Sequence, residues 1–230
     1  MERVFREKAK GATRTASAKK AEIFEYGVHV YRPCHRKIRN LKRSHAPSFH
    51  GIRPWPSSWL LMDFLNRQGL HKGVRVMELG CGWGLAGIYC ARNHGAKVTS
   101  VDIDSEVFPY LQMHTRINHV EVSTIQLGFD DLMGDHLKSI DVMIGADICF
   151  WDSLAHSLKR LIFRALGEGV QFVVLADPGR SSFEKLGRHF VQKGTGDVHG
   201  RFVERPYAIQ GKILRIGSMS PRRFGARTDK

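Results

Sequence analysis

Strand-length apolar runs alternate with helical stretches through most of this chain, and this alternation restricts its fold more than any other feature. The apolar runs are residues 75–79, 97–101, 122–127, 141–146 and 170–176. The helical stretches are residues 85–94, 105–118, 153–166 and 183–193. Strands that are apolar throughout and separated by helices are typical of a parallel sheet with both faces covered. We therefore predict an α/β fold with a doubly wound, mostly parallel sheet.

The alternation stops near the C-terminus. Residues 199–207 and 209–216 are adjacent strand-like runs with no helix between them. Such neighbours favour an antiparallel hairpin, because a parallel connection needs a crossover of a dozen or more residues. With this hairpin the predicted sheet has seven strands.

A further helix is predicted before the first of these strands. It would begin at Ser57 or Ser58, whose hydroxyl groups can cap it, and end at Gly69. Upstream, residues 26–31 alternate apolar and other side chains and indicate a short strand. Residues 32–54 are basic and interrupted by prolines, so we expect them to be irregular.

The first strand of the alternating region runs into a glycine-rich loop with the sequence ELGCGWG, residues 78–84. Glycine adopts backbone angles that other residues avoid, and its missing side chain lets a ligand touch the backbone. The helix that starts near Leu85 would direct its amide-rich end at such a ligand. The loop is therefore predicted to bind a cofactor.

Two kinds of cofactor compete for this loop. A dinucleotide fingerprint G-x-G-x-x-G can be matched at Gly82, Gly84 and Gly87, but alone that match is weak. In the fingerprint the first glycine directly follows the strand. Here an acid comes first, in the spacing Glu78-x-Gly80-x-Gly82-x-Gly84.

Acidic residues also follow the next two strands. Asp102 ends the second strand, where a carboxylate can accept hydrogen bonds from both hydroxyl groups of a ribose. Sites for NAD use the same contact, so Asp102 indicates a ribose and leaves the cofactor open. Asp104 is the alternative candidate, or a helix cap. Phe129 and Asp130 follow the third strand, and either they contact a ligand or the aspartate caps the next helix.

The acid-x-G-x-G-x-G spacing resembles motif I of the class I methyltransferases, which bind S-adenosylmethionine on a seven-stranded sheet. Residues 50–217 are similar to that fold throughout. The stretches GIRPW, MELGCGWGLAGI, ADICFWD and ADPGR more narrowly resemble the protein-lysine methyltransferase branch, which includes the electron-transfer-flavoprotein β-subunit lysine methyltransferase and bacterial proteins described as nicotinamide N-methyltransferase-like.

The resemblance implies S-adenosyl-L-methionine as the methyl donor and assigns its contacts. Backbone groups near Gly80 and Gly82 would hold the methionine moiety, and Glu78 would orient either the loop or the donor's amino group. Asp102 would bind the ribose. Phe129 would lie against the adenine ring, and Asp130 would bind the adenine amino group. The full predicted donor site is Trp55, Glu78, Gly80, Gly82, Gly84, Asp102, Phe129 and Asp130. Trp55 would cover the donor's open side or, alternatively, pack the first helix onto the sheet.

The acceptor site is predicted at the end of the fourth strand, where open α/β sheets bind ligands. Asp147 is the candidate to hold an acceptor nitrogen, and Phe150 and Trp151 would wall the pocket and offer cation–π contact to an ammonium group. Alternatively, Trp151 packs in the core. The lysine-methylating branch commonly carries Asp-x-x-Tyr here, whereas this chain reads Asp147-Ile148-Cys149-Phe150. The missing phenol weakens the transfer of lysine specificity from the family. Asp177 ends the next strand and either faces the acceptor or forms a turn.

The net charge of +14 is confined to the two ends of the chain. Residues 1–50 hold 13 Lys or Arg against four Asp or Glu, and residues 212–230 hold six against one. Residues 51–211 hold 17 of each sign. We predict a methyltransferase domain at 50–217 between a partly disordered basic extension at 1–49 and a basic tail at 218–230. Such arms suit an anionic partner, either RNA or an acidic protein surface, or are simply solvated.

Other features indicate a cytoplasmic protein without a membrane segment. No apolar run reaches the roughly 18 residues of a membrane span, and the first residues lack the apolar core of a secretory signal. A transit peptide is the weaker alternative. The four cysteines form no C-x-x-C pair, and the twelve histidines show no metal-ligand spacing.

Four functions fit the sequence to different degrees. The leading hypothesis is a protein N-methyltransferase acting on lysine, followed by an RNA methyltransferase that docks through the basic arms. A catalytically silent adaptor that binds the donor or RNA is the third, supported by the missing phenol alone. An NAD-dependent oxidoreductase is the least favoured.

Overall fold

The computed structural model describes residues 21–47 and 50–218. The strands in chain order are β1 (Glu22–Glu25), β2 (Val28–Tyr31), β3 (Arg75–Leu79), β4 (Lys97–Asp102), β5 (Ser123–Gln126), β6 (Val142–Ala146), β7 (Phe172–Asp177), β8 (Gly196–Val203) and β9 (Ile209–Gly217). The helices are α1 (Arg36–Ser44), α2 (Ser57–Gln68), α3 (Leu85–His94), α4 (Phe108–Asn118), α5 (Gly134–Leu137), α6 (Asp152–Gly167) and α7 (Ser181–Gln192). A 3-10 turn at Ser105–Val107 precedes α4.

The seven-stranded sheet has the order β5-β4-β3-β6-β7-β9-β8. The first five strands of that order are parallel, and β9 lies antiparallel between β7 and β8. This confirms the predicted fold class and the C-terminal antiparallel hairpin. The first strand of the hairpin covers Gly196–Val203, earlier than the predicted 199–207, because residues 204–208 form the turn.

The strand order reverses beside β3, which pairs with β4 on one side and β6 on the other. In open α/β sheets, ligands bind outside the carboxyl ends of the strands at such a reversal. The glycine loop directly follows β3 and therefore lies at this edge.

Hydrophobic packing covers both faces of the sheet. Successive residues of one strand point to opposite faces, so Val76 joins the core beneath α2 and α3, and Met77 joins the core beneath α6 and α7. Both side chains are fully buried. This two-sided burial explains why the central strands β6 and β7 are apolar at nearly every position.

The prediction that residues 32–54 are irregular is wrong for Arg36–Ser44, which form helix α1. The helix packs on α4, with the side chain of Ile38 fully buried. Prolines 33 and 47 flank the helix and do not interrupt it. The composition is dominated by exposed basic side chains, and the few apolar ones that anchor the helix are easily overlooked.

The hairpin β1–β2 is also attached to the sheet domain. The Asn118 side chain of α4 accepts a hydrogen bond from the amide of His29 and donates one to its carbonyl, both at 2.8 Å. The amide of Tyr31 donates to Nε2 of the buried His114 at 3.1 Å. The part of the predicted basic extension that the structure describes is therefore folded against the domain. Residues 1–20 and 219–230, which include the predicted disordered and tail segments, lie outside the described residues.

Within the described ranges, no helix combines the length and apolar character needed to cross a membrane. Cys81, Cys90 and Cys149 are buried free thiols, and Cys34 is exposed.

Candidate functional site

A cleft of about 210 Å³ opens at the carboxyl ends of β3, β4, β5 and β6. Its lining combines the glycine loop, two acids and a set of apolar and aromatic side chains. The acids are Asp102 at the end of β4 and Asp147 directly after β6. The lining residues are His50, Gly51, Trp55, Gly80, Gly82, Asp102, Ile103, Leu127, Gly128, Phe129, Ala146, Asp147, Ile148, Phe150, Trp151 and Leu154. Most of the residues predicted for the donor and acceptor sites therefore meet in one cleft.

The three glycines of the loop all have left-handed backbone angles, with φ of +56° at Gly80, +51° at Gly82 and +73° at Gly84. A Cβ atom on Gly80 would lie 2.7 Å from Ile148, and one on Gly84 would lie 2.6 Å from Leu111. A Cβ atom on Gly82 would meet no protein atom within 4 Å. Gly82 is thus the glycine whose missing side chain leaves space to a ligand, whereas Gly84 is outside the cleft and begins α3.

Asp102 both lines the cleft and fixes the glycine loop. Its Oδ2 accepts a hydrogen bond from the Gly82 amide at 2.9 Å, and its Oδ1 accepts one from the Asp104 amide at 3.1 Å. Burial raises the pKa of Asp102, and these amides oppose that rise. A carboxylate has about four acceptor positions, so Asp102 can still accept from a further donor. Asp104 instead caps the 3-10 turn by accepting from the Glu106 amide, which was its alternative prediction.

Glu78 is buried behind the loop and does not line the cleft. It accepts hydrogen bonds from the Ser100 hydroxyl at 2.8 Å and from the amides of Gly87 and Ala86. Burial raises its pKa to about 7. A Cβ atom on Gly87 would lie 2.5 Å from the Glu78 carboxylate, so this glycine allows α3 to approach the acid. Of the two roles predicted for Glu78, this geometry supports the orientation of the loop.

The far end of the cleft is apolar. Phe129 lines it together with Ile103, whose side chain is 59% exposed. Sequence reasoning missed Ile103, although its position directly after the candidate ribose acid was a usable signal. Asp130 does not reach the cleft, because its carboxylate binds the Ser157 hydroxyl at 2.7 Å and Arg160 of α6 at 2.8 Å. The structure therefore does not place Asp130 where it could make the predicted contact with adenine.

Asp147 follows β6 with a left-handed backbone, φ +58°, and its side chain is buried. Its Oδ2 accepts a hydrogen bond from the Ser57 amide at 2.8 Å, at the first turn of α2. Its Oδ1 accepts one from Nη1 of Arg180 at 2.9 Å. The predicted hydroxyl caps of α2 at Ser57 and Ser58 are wrong, since this carboxylate from another element satisfies the helix terminus.

Arg180 links the ends of β6 and β7. The same Nη1 that binds Asp147 also binds Oδ2 of Asp177 at 2.6 Å. Asp177 is fully buried, accepts the amides of Gly179 and Arg180, and does not line the cleft. Burial raises the pKa of Asp177, and the guanidinium opposes this. With two carboxylates to one guanidinium, the cluster is net negative while all three are ionised. Sequence reasoning missed Arg180, although it ends the ADPGR stretch.

Aromatic rings form the wall beside Asp147. The Phe150 ring stacks on His50 at 4.5 Å between centroids and lies edge-on to Trp55 at 5.3 Å. Trp151 is 46% exposed, so it is not a core residue. The Arg180 guanidinium lies 4.5 Å from the centre of the Phe150 ring. The cation–π contact predicted between Phe150 and an acceptor is therefore already made by this arginine, and His50 is a further wall residue that sequence reasoning missed.

This lining fits S-adenosylmethionine, the group that the resemblance implies. Asp102 offers carboxylate oxygens where a ribose diol needs acceptors, Ile103 and Phe129 offer apolar surface for a purine, and Gly82 leaves the backbone open. The aromatic wall and Asp147 lie at the other end of the same cleft.

The chain is similar to known methyltransferases in sequence and in fold. The sequence profile of a family described as "Lysine methyltransferase" matches residues 44–192. The electron transfer flavoprotein beta subunit lysine methyltransferase of Danio rerio is 25% identical over 131 residues, covering 56% of this chain and 50% of that protein. A protein-lysine N-methyltransferase of Chaetomium thermophilum is 30% identical over 152 residues, covering 58% and 45%. Thus the chain spans about half the length of these curated relatives.

The fold also matches solved structures. The "delta-N METTL16 MTase domain" superimposes with a TM-score of 0.57, at 14% identity over 79% of this chain and 93% of that domain. At that identity the likeness concerns the fold alone.

Proposed function

The chain belongs to the lysine methyltransferase family, and from that membership we propose that it transfers a methyl group from S-adenosylmethionine to the side-chain amine of a protein lysine. The observation that carries the proposal is the single cleft that joins Gly82, Asp102 and Phe129 to Asp147 and the aromatic wall. A donor and an acceptor bound in that cleft would be held side by side.

The donor end of the cleft would bind by shape and hydrogen bonding. Asp102 would accept the ribose hydroxyls, and Gly82 would allow the donor to pass close to the backbone. Ile103 and Phe129 would hold the purine between apolar surfaces. Glu78 and Gly84 would act from behind the loop, by fixing its path into α3.

The acceptor end would orient the amine. When bound, S-adenosylmethionine would supply an activated methyl group: a nitrogen–carbon bond would form in line with the breaking carbon–sulfur bond, and S-adenosylhomocysteine would leave. The lysine ammonium would first release its proton to solvent, because only the neutral amine has a free lone pair. Asp147 would accept a hydrogen bond from the amine, while its contacts with Ser57 and Arg180 hold the carboxylate in place. Phe150, His50 and Trp55 would exclude water from the reacting atoms.

A labelling experiment tests the acceptor class. The protein is incubated with a cell extract and radiolabelled S-adenosylmethionine, and parallel samples receive protease or ribonuclease. We expect label that is lost to protease, followed by mass-spectrometric mapping to a lysine. Label lost to ribonuclease would contradict the proposal and favour an RNA acceptor.

A pair of substitutions tests the role of Asp147. Asp147→Asn should leave donor affinity nearly unchanged and lower turnover at least about tenfold, since a charged hydrogen-bond acceptor is lost. Asp177→Asn is the matched control, because it removes a carboxylate from the same arginine but lies outside the cleft. An equal loss of turnover in both variants would show that Asp147 acts only through Arg180.

A further inference from the structure

Helix α1 carries an unusually dense positive charge. Five of its nine residues are Lys or Arg and none is acidic. The five cations are Arg36, Lys37, Arg39, Lys42 and Arg43, and all are exposed. Ile38 and Leu41 form the face packed on α4, so the charges cover the side that faces away from the domain.

Acidic residues do not neutralise this face. Within the part of the chain that the structure describes, these four arginines and lysines, Arg36, Arg39, Lys42 and Arg43, make no ion pair with a carboxylate. The Lys37 ammonium donates a hydrogen bond to the Tyr31 hydroxyl and lies over its ring. Cations elsewhere in the fold, such as Arg75 and Arg215, are paired with aspartates. The pKa of His35 is lowered mainly by burial. The positive charges of Lys37, Arg36 and Arg39 lower it further.

The C-terminal end of the helix is fixed to α4 and to the 3-10 turn before it. The His45 carbonyl at its C-terminal end accepts a hydrogen bond from the Tyr110 hydroxyl at 2.7 Å. The Ala46 amide donates to Glu106 at 3.2 Å, in the 3-10 turn that follows the Asp102 strand. His50, which lines the cleft, comes six residues after the end of α1, a span of at most about 20 Å.

The helix is also separate from the family's shared region. The family match begins at residue 44, where α1 ends, while residues 51–211 have balanced charge. The positive face is thus carried by an element outside the matched region, and six residues of chain join it to His50 in the cleft.

We propose that α1 is a docking surface for an acidic segment of the substrate protein, which it holds while a nearby lysine enters the cleft. This inference rests on the proposed function for its choice of a protein partner. It is consistent with the composition of α1, which offers charge but no aromatic ring on which a nucleic-acid base could stack. Complementary charge would mainly speed association and set the register of the substrate.

The test uses the full chain with three labelled probes: a synthetic peptide with one lysine and a run of glutamates, the same peptide with glutamines, and an oligouridine RNA. The variant carries Arg36→Glu, Arg39→Glu and Arg43→Glu. The matched control carries Lys97→Glu, Arg188→Glu and Lys193→Glu. All three cations are exposed: Lys97 begins β4, Arg188 lies in α7 and Lys193 directly follows α7. Calorimetric binding of S-adenosylhomocysteine checks that each protein is folded.

At low salt, the α1 variant should bind the glutamate peptide at least about tenfold more weakly than the unmodified protein does. The affinity of the control variant for this peptide should differ by no more than about twofold. The glutamine peptide should bind weakly to all three proteins. Unchanged affinity in the α1 variant would overturn the docking proposal, and so would preferential, α1-dependent binding of the RNA.

Methyl transfer, measured separately, distinguishes this proposal from the proposed function. Binding that depends on α1 supports docking even if no lysine peptide or protein is methylated, a result that would instead overturn the lysine-transfer function. Methylation of lysine in acidic proteins that is equally efficient in the α1 variant would overturn docking and leave the function intact.

Discussion

Replacement of Gly82 by alanine separates the cost of an unfavourable backbone from the cost of a blocked cleft. Gly82 has φ of +51° and lines the cleft, and a Cβ atom built on it meets no protein atom within 4 Å. The folded protein therefore has room for the methyl group. Its position in the cleft, however, is where the donor is proposed to pass closest to the backbone.

Two contributions follow from this geometry. An L-residue in the left-handed region costs about 1–2 kcal/mol, which lowers the melting temperature by about 2–4 °C for each kcal/mol in a protein of this size. When the donor fills the cleft, the added methyl group costs a further 1–3 kcal/mol or so. This cost lowers the affinity for the donor and does not affect the unliganded protein. Donor affinity should fall about tenfold or more.

Gly194→Ala is the matched control. Gly194 also has a left-handed backbone, φ +66°, and open space around a built Cβ atom, but it lies in the turn between α7 and β8. Thermal unfolding should show similar destabilisation in both variants. Titration calorimetry with S-adenosylhomocysteine should show weakened binding for Gly82→Ala alone. If Gly82→Ala binds this ligand as tightly as the unmodified protein, the donor does not pass over Gly82 and the assignment of the cleft is wrong.

Further predictions concern the two aspartates and a buried histidine. Asp102→Ala should weaken calorimetric binding of the donor at least about tenfold, through loss of a charged two-point contact, whereas Asp130→Ala should leave it unchanged because that carboxylate binds Arg160 outside the cleft. A reversed order of effects would move the ribose site away from Asp102. Burial lowers the pKa of His114 to about 4, below the 6.5 of an unfolded histidine, so the unfolded chain takes up the proton first as the pH falls. The free energy of unfolding should therefore be about 3 kcal/mol higher above pH 6.5 or so, and this part of the stability is lost as the pH falls toward 4. Urea unfolding of the protein and of His114→Gln across that range should show a shallower pH dependence in the variant; parallel curves would contradict the buried neutral imidazole.

Local sequence patterns were sufficient for the framework of this fold. The apolar runs mark β3 to β7 to within about two residues, since the central parallel strands are buried on both faces. The glycine loop and Asp102 could be placed together because each lies at the carboxyl end of a parallel strand, and such ends meet at one edge of the sheet.

Contacts between distant segments decided the rest. Asp147 caps α2 through the Ser57 amide, 90 residues away in the chain, and no local pattern predicts that pairing. Asp130 follows its strand as a donor-site acid would, but α6 places Arg160 beside it and draws the carboxylate away from the cleft. Helix α1 forms because α4 offers a surface for Ile38, which the basic composition of that segment conceals. The sequence by itself therefore determined the layered sheet and the cofactor loop, through periodicity and glycine spacing. Only the tertiary structure decided which charged side chains face the cleft, because that depends on the partners that packing brings within hydrogen-bonding distance.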